Sequence, residues 1–306
     1  MPKGFIHGLD LEDFSCTMGR MPAESLRDLA ALPNTHTLHL TDCTPGSFHF
    51  SSIAVPFPSL RHISLSHITL SSASLLLQPL NHLPLESIEL SFGVDPTREI
   101  ATEKTYFDFC SKLQLLDELQ RPTFKCLKLH DQGPSQRSIS FDALRPLYKL
   151  SQLECLHLDV PFAFRMDSPK FSAWGAAWPL LKDFQLGGEG LESELAGLVP
   201  QDLYRIAEVW PRLESLCVSL DTRTEVESSM KALEEVQEQR SLTSLRIHGL
   251  LIGHSGAFNF AVFLFMSFPR LKTFQFESGY LDESEKENLT AIYLASFDRL
   301  VERRRK

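Results

Sequence analysis

One short pattern recurs along most of the chain: an apolar residue, two mostly polar residues, an apolar residue, a polar residue and a final apolar residue. The eight intervals between its nine copies, from Thr35 to Leu271, average 29.5 residues. Self-similarity at a period of this length is typical of repeat arrays, in which each unit packs only on its neighbours. The copies are THTLHL from Thr35, LRHISL from Leu60, LESIEL from Leu85, FKCLKL from Phe124, LECLHL from Leu153, LKDFQL from Leu181, LESLCV from Leu213, LTSLRI from Leu242 and LKTFQF from Leu271.

Each unit is predicted to be a strand followed by a helix. Within a copy, apolar and polar residues alternate, which is the period of a half-buried strand. Between copies the apolar spacing becomes helical, and strands joined through helices must run parallel. Prolines, which have no N–H to donate, precede several strands at Pro58, Pro84, Pro179, Pro211 and Pro269. The predicted helices are SASLLLQPL from Ser72, KTYFDFCSKLQLLDEL from Lys104, FDALRPLYKL from Phe141, PQDLYRIAEVW from Pro200 and EVESSMKALEEVQEQR from Glu225.

This pattern resembles the leucine-rich repeat family in its long, ribonuclease-inhibitor-like form, over about residues 24 to 300. The resemblance implies an α/β solenoid, a horseshoe with a curved parallel β-sheet on its concave face, helices on its convex face and about nine repeats. Copies such as WPRLESLCV and FPRLKTFQF are also similar to the repeat regions of fungal F-box and leucine-rich-repeat proteins. The family's Asn or Cys three residues after the last strand Leu is met here only by Cys43, so the turns are expected to satisfy their backbone groups in another way.

The predicted organisation has three parts. Residues 1–23 form an N-terminal extension or cap, residues 24–282 form the repeat array, and residues 283–306 form a charged C-terminal capping helix. Two alternatives stay open for the long interval Ser91 to Thr123, which is either a lid or a larger helix. The 22 Phe residues, several of them between Phe258 and Phe268, are predicted to lie in the core on the helix side.

Composition narrows the possible functions. The formal net charge of −9, from 30 basic and 39 acidic residues, disfavours phosphate-backbone binding and hence a nucleic acid partner. Six cysteines without a CxxC pair suggest reduced thiols rather than disulfides or zinc ligands. No signal peptide and no apolar segment of membrane-spanning length is recognised. We therefore expect a cytoplasmic or nuclear protein that does not bind membranes.

The predicted functional surface is the row of outward strand side chains on the concave face, because open repeat arrays bind partners there. Its polar mixture of both charge signs suits a protein or peptide. The residues predicted to contact such a partner are His39, His62, Glu89, Lys128, His157, Asp183, Gln185, Arg246 and Gln275.

No catalytic, cofactor or metal site is predicted. Ser255 lies in a GxSxA setting that invites comparison with the nucleophile elbow of hydrolases, but no His follows it, so the general base is missing in the expected order. A serine hydrolase is therefore only a distant alternative. The pairs His36 with His39 and His62 with His67 are interpreted as separate histidines, because no carboxylate cluster accompanies them.

The sequence thus predicts a non-enzymatic protein-recognition module. If the resemblance extends to function, it is the substrate-binding part of an F-box-type ubiquitin-ligase receptor, with the ligase's small adaptor subunit as a second partner. The segment from Met21 to Leu32 resembles the opening helix of an F-box, but the first strand copy follows at Thr35, so it is interpreted as the first convex helix. The alternative is a free-standing scaffold or inhibitor with no link to ubiquitin.

Overall fold

Within the residues that the computed structural model describes, ten strands, four α-helices of ten residues or more and one 3₁₀ helix are defined. The chain divides into two compact units, Met1–Pro134 with Ile139–Val160 and Ser135–Ser138 with Pro161–Lys306. The structure describes residues 10–17, 28–41, 57–80, 83–93, 102–120, 123–131, 140–160, 168–187, 198–220, 241–248 and 267–277, together with Phe260, Phe263, Leu264, Ala291, Ala295 and Glu302.

The first unit contains six parallel strands that lie side by side in chain order. Three helical segments connect its later strands. The elements are β1 Asp13–Thr17, β2 Thr37–Thr41, β3 His62–Ile68, α1 Leu70–Leu80, β4 Ser87–Phe92, α2 Glu103–Gln120, β5 Cys126–Asp131, the 3₁₀ helix Phe141–Lys149 and β6 Cys155–Asp159.

The second unit contains four parallel strands, again in chain order. Its elements are α3 Ser168–Ala177, β7 Asp183–Leu186, α4 Pro200–Val209, β8 Ser215–Ser219, β9 Ser244–His248 and β10 Thr273–Glu277. The predicted α/β class and the parallel strand–helix repeat are confirmed.

Apolar side chains on one side of every strand build the core. Over the first four residues of each strand from β2 to β6, half-buried and fully buried residues alternate, as the sequence pattern predicts. Leu127 and Leu156, for example, lie opposite one another in register, and both are completely buried. Because a strand of the array buries its apolar side against side chains of neighbouring repeats, a single repeat has no stable core of its own.

The N-terminal strand β1 is an addition to the nine predicted copies. It pairs in parallel with β2 along its whole length, and it lies within the segment that the sequence assigned to an extension or cap. The stretch LEDFSC from Leu11 has the same apolar spacing, through Leu11, Phe14 and Cys16. The copy was missed because Cys16 occupies the last apolar position and acidic residues surround the motif.

A regular turn precedes many of the strands. In the second unit, the N–H of Leu181 donates to the carbonyl of Trp178, and that of Leu213 donates to the carbonyl of Trp210. A proline follows each tryptophan, at the position of a four-residue turn where its restricted φ is favoured. The prolines that precede these two strands therefore form part of the turn into the strand.

Backbone hydrogen bonds connect successive repeats at the start of each strand. The Glu86 carbonyl accepts from the N–H groups of both Lys125 and Cys126, and the Lys125 carbonyl accepts from both Glu154 and Cys155. Hydroxyl groups add to this ladder, as where Thr123 Oγ1 donates to the Leu85 carbonyl over 3.3 Å. These bonds satisfy backbone groups at the starts of the strands without an Asn or Cys ladder of the kind expected in the family.

The segment from Phe141 forms a 3₁₀ helix where the sequence predicted a helix without specifying its type. Its interior Pro146 has no N–H to donate and disfavours a regular α-helical ladder. The Ser140 hydroxyl caps the segment by accepting from the Asp142 N–H over 3.2 Å. The interval Ser91 to Thr123 contains the long helix α2, and the predicted helices at Ser72 and Pro200 correspond to α1 and α4.

Several other predictions fall wholly or partly outside the described residues. The helix from Glu225 and the turn at Cys43 lie outside them, as does Ser255. Of the segment Met21 to Leu32, residues 28–32 are described, with a short helical stretch at 28–30. Among the phenylalanines predicted to be core, Phe260, Phe263 and Phe268 are described and buried. The described part of the chain contains no helix that is both long and apolar enough to cross a membrane.

Gly175 lets α3 and α4 approach closely. A Cβ atom added at this position would lie 2.6 Å from the Val209 Cβ and 3.0 Å from the Val209 carbonyl oxygen.

Gly175→Ala is therefore expected to lower the free energy of unfolding, because an overpacking cost of about 1–3 kcal/mol exceeds the gain of about 1 kcal/mol in helix propensity. Urea unfolding of the full chain measures this. Ala176→Ser, at an exposed position of the same helix, is the control and should change stability by less than about 0.5 kcal/mol. A Gly175→Ala chain more stable than the parent would contradict the expectation.

Candidate functional site

The polar side of the sheet carries three rows of side chains in the first unit. We call this side, opposite the buried leucines, the open face. Strand register brings side chains from neighbouring strands together along each row. The first row contains His62, Ser87, Cys126 and Cys155; the second contains His39, Ser64, Glu89, Lys128 and His157; the third contains Ser66, Ser91, His130 and Asp159.

All nine residues predicted to bind a partner occupy outward strand positions, and none of them is buried. In the first unit, the register aligns His39, Glu89, Lys128 and His157 in the second row, and places His62 in the first row. In the second unit, Asp183 and Gln185 lie on β7, Arg246 on β9 and Gln275 on β10. That these side chains contact a partner stays a prediction.

Opposite charges are neighbours on the open face of the first unit. Lys128 Nζ lies 3.8 Å from Glu89 Oε2, and the two side chains are 33% and 44% exposed. An ion pair this exposed contributes about 0–1 kcal/mol to stability. The charges are therefore ordered by the strands without being essential to folding, and they are accessible to a partner.

The third row was missed by the sequence interpretation. His130 Nδ1 lies 3.6 Å from Asp159 Oδ2, and both side chains are about 30% exposed. Next to His130, the Asp131 carboxylate accepts a hydrogen bond from the buried Tyr106 hydroxyl of α2. The motif search ended at the last apolar residue of each copy, although continuing the alternation by one step places His130 and Asp159 on the same face.

Two thiols lie side by side in the first row. Cys126 of β5 is directly opposite Cys155 of β6, and both residues are half-buried and reduced. A hydrogen bond from Cys155 is the main cause that lowers the pKa of the Cys126 thiol, to about 6. Ser87, Lys128 and His157 lower this pKa further, and the four groups together outweigh partial burial, which raises it. The Cys126 thiolate is therefore the favoured form at neutral pH.

The polar side of the second unit carries both buried and exposed side chains. Cys217 and His248 are both only 7% exposed, and His248 Nε2 lies 3.0 Å from Cys217 Sγ. Cys217 is the fifth residue of the copy LESLCV, a position that the pattern predicts to point outward. Its side chain lies on that face, in register with Gln185 and Arg246, but it is buried. Arg246 and Gln275 are exposed there, and Arg246 Nε donates to Gln275 Oε1 over 2.9 Å.

The histidine pairs considered from the sequence are not brought together. His36 and His39 are three positions apart, so their side chains leave opposite faces of an extended chain. His62 and His67 are separated by five positions, roughly 16 Å along a strand. Neither pair has the geometry of two ligands on one metal ion.

The likenesses to known proteins come from solved structures, of which 35 chains match. No protein-family model matches the chain, and no curated protein matches it. A solved structure, that of the leucine-rich repeat-containing protein LegL7 from Legionella pneumophila, is similar at 13% sequence identity and a TM-score of 0.44. The likeness covers 93% of this chain and 97% of that one.

Proposed function

We propose that the chain is a protein-recognition module that binds its partner through the open face of the first unit. The observation that carries this proposal is the second row, where His39, Glu89, Lys128 and His157 project from adjacent strands at partly exposed positions. Side chains on strands are held more precisely than side chains on loops. Because folding has already ordered these side chains, binding a partner costs less conformational entropy.

The charge pattern of this face favours a protein over a nucleic acid. A phosphate backbone requires clustered Lys and Arg. Here the Lys128 ammonium lies beside the Glu89 carboxylate, and the His130 imidazole lies beside the Asp159 carboxylate, so each of these basic side chains has an acidic neighbour. Complementary charges and hydrogen bonds from a protein surface suit such an alternation.

Site-specific photo-crosslinking tests which surface binds. A photoreactive phenylalanine analogue is introduced at Ser64, in the second row, and separately at Phe107, an exposed residue of α2 on the helix side. After irradiation in the native cells, the crosslinked proteins are identified by mass spectrometry. We expect one protein to be captured from Ser64 and not from Phe107. Capture of the same proteins from both positions, or from Phe107 alone, would overturn the proposal.

Charge reversal tests the second row with the partner captured in this way. Lys128→Glu is expected to weaken binding about tenfold, or about 1.4 kcal/mol, because it replaces an attraction with a repulsion. Stability should change little, since the lysine is exposed. Calorimetric binding and thermal unfolding measure the two quantities.

The double variant Lys128→Glu with Glu89→Lys is the matched control, because it restores an ion pair between the strands with the charges exchanged. If affinity depends on which strand carries the positive charge, the double variant is as stable as the parent and still binds the partner weakly. Parental affinity in the single variant would exclude Lys128 from the interface. Arg246→Glu applies the same test to the second unit.

More narrowly, we propose that the module presents its partner to a ubiquitin ligase, as the substrate-binding part of an F-box-type receptor. The support is the similarity of copies such as WPRLESLCV and FPRLKTFQF to repeat regions of F-box proteins. Purification of the tagged chain from its native cells should then recover the small adaptor subunit and a cullin. Recovery of the crosslinked partner without these subunits would contradict the ligase role and favour a free-standing scaffold or inhibitor.

A further inference from the structure

The first row of the open face holds two cysteines in a position to react with one another. Cys126 and Cys155 are register partners on adjacent parallel strands, and both are partly exposed. Neighbouring strands lie about 4.7–4.9 Å apart, which falls within the Cα separation of about 4.4–6.8 Å found across disulfides. A bond between these sulfur atoms therefore requires no movement of one strand along the other.

Hydrogen-bond donors around Cys126 stabilise its ionised form. The thiol of Cys155 donates to the Cys126 sulfur from β6, and the hydroxyl of Ser87 donates from β4. Ser87 lies opposite Cys126 in register, so the three groups form one line across three strands. These donors stabilise the negative charge on the Cys126 sulfur.

Charged groups of β5 and β6 act on the pair. Lys128 of β5 and His157 of β6 favour the Cys126 thiolate electrostatically. The Glu89 carboxylate of β4 lies 3.8 Å from the Lys128 ammonium. The net effect favours the thiolate, which is the nucleophilic form of cysteine.

We propose that Cys126 and Cys155 form a peroxide-reactive dithiol, in which Cys126 is the attacking thiolate and Cys155 is the resolving thiol. The oxidant is a hydroperoxide, with hydrogen peroxide as its simplest member. The product is a disulfide between β5 and β6 on the open face. This assignment is independent of the proposed binding function, because it requires no partner.

The chemistry balances in two steps. The Cys126 sulfur attacks one peroxide oxygen and breaks the O–O bond, which yields a sulfenic acid and hydroxide. The Cys155 thiol then displaces hydroxide from the sulfenic sulfur, so that the S–S bond forms and water leaves. In total, two thiols lose two electrons and two protons, and one peroxide is reduced to two waters.

The other described cysteines differ from this pair. Cys110 is completely buried, and burial raises the pKa of its thiol well above the usual range. Cys217 is also buried. Cys16 is half-buried like Cys126, but its register partner is Leu40 rather than a second thiol. Cys16 is therefore the matched control for an accessible cysteine without a resolving neighbour.

Peroxide titration of the reduced full chain, followed by peptide mapping, tests the pair. We expect one linked peptide pair that joins Cys126 to Cys155 and disappears on reduction. In Cys155→Ser, a dione probe should trap a sulfenic acid on Cys126. In Cys126→Ser, neither the disulfide nor a sulfenic acid on Cys155 should form, whereas Cys16→Ser should behave as the parent. Absence of the linked pair in the parent, or sulfenic acid formation at Cys16 as fast as at Cys126, would overturn the proposal.

The pH dependence of alkylation provides a second measurement. At pH 6 a thiol of pKa about 6 is about half ionised, whereas an ordinary thiol is about 0.3% ionised. The lower nucleophilicity of the more acidic thiolate offsets part of this advantage, and alkylation of Cys126 about tenfold faster than that of an ordinary cysteine in an unfolded peptide remains. The rate at Cys126 should fall as the pH decreases through about 6. A profile with its midpoint above pH 8 would contradict the assigned roles.

Discussion

Trp174→Ala is expected to lower the free energy of unfolding of the second unit by about 3–5 kcal/mol. Trp174 of α3 is completely buried. Its ring centroid lies 5.3 Å from that of Trp178, 5.9 Å from that of Phe184 and 6.4 Å from that of Trp210. Truncation removes three aromatic contacts at once and leaves a cavity between the helix side and β7.

Urea unfolding followed by near-ultraviolet circular dichroism measures the Trp174 effect, because the tryptophans of this cluster report on local packing. Trp174→Phe is the matched control, since a smaller ring keeps part of the contacts, and it should cost clearly less than the alanine variant. Equal unfolding midpoints for the parent and Trp174→Ala would show that the cluster does not hold α3 on the sheet.

Leu216→Ala is expected to cost about 2–5 kcal/mol in the same unit. Leu216 of β8 is 1% exposed and lies in register between Phe184 of β7 and Leu245 of β9. A cavity at this position faces two neighbouring repeats, so the loss is shared by both interfaces. Leu156→Ala in β6 is the corresponding change in the first unit, where Leu156 is completely buried.

Leu75→Ala is the control for the leucine series, because Leu75 of α1 is 65% exposed and should change stability by less than about 0.5 kcal/mol. Thermal and urea unfolding of the three variants measure the differences. If Leu216→Ala cost no more than Leu75→Ala, the register that places Leu216 in the core would be wrong.

The polar rows show where a sequence pattern succeeds and where it stops. Strand alternation placed Lys128 and Glu89 on the same face, and the structure adds that they are 3.8 Å apart. The same alternation placed Cys217 outward, yet this side chain is buried beside His248. Direction follows from the local backbone, whereas exposure depends on what else covers the strand, which a local pattern does not contain.

The ends of the motif show a second limit. The strand β1 uses Phe14 and Cys16 where other copies use leucine, and Cys16 packs against Leu40 of β2 as a small apolar side chain. A search for leucines therefore begins one repeat late. In the segment from Phe141, the pattern correctly predicted a helix, but its 3₁₀ form depends on Pro146 within a short connection.

The sequence by itself determined the repeat, the parallel strand order and the face on which each strand side chain lies, because these follow from a two-residue period inside a period of about 29.5 residues. It already aligned Cys126 with Cys155. Only the tertiary structure decided the acidity of Cys126, since its pKa is lowered by donors from two other strands that outweigh the opposing effect of partial burial. The donors on these two strands are 29 and 39 positions away from Cys126 in the sequence. Their proximity results from the packing of neighbouring strands, which a motif of six residues does not contain.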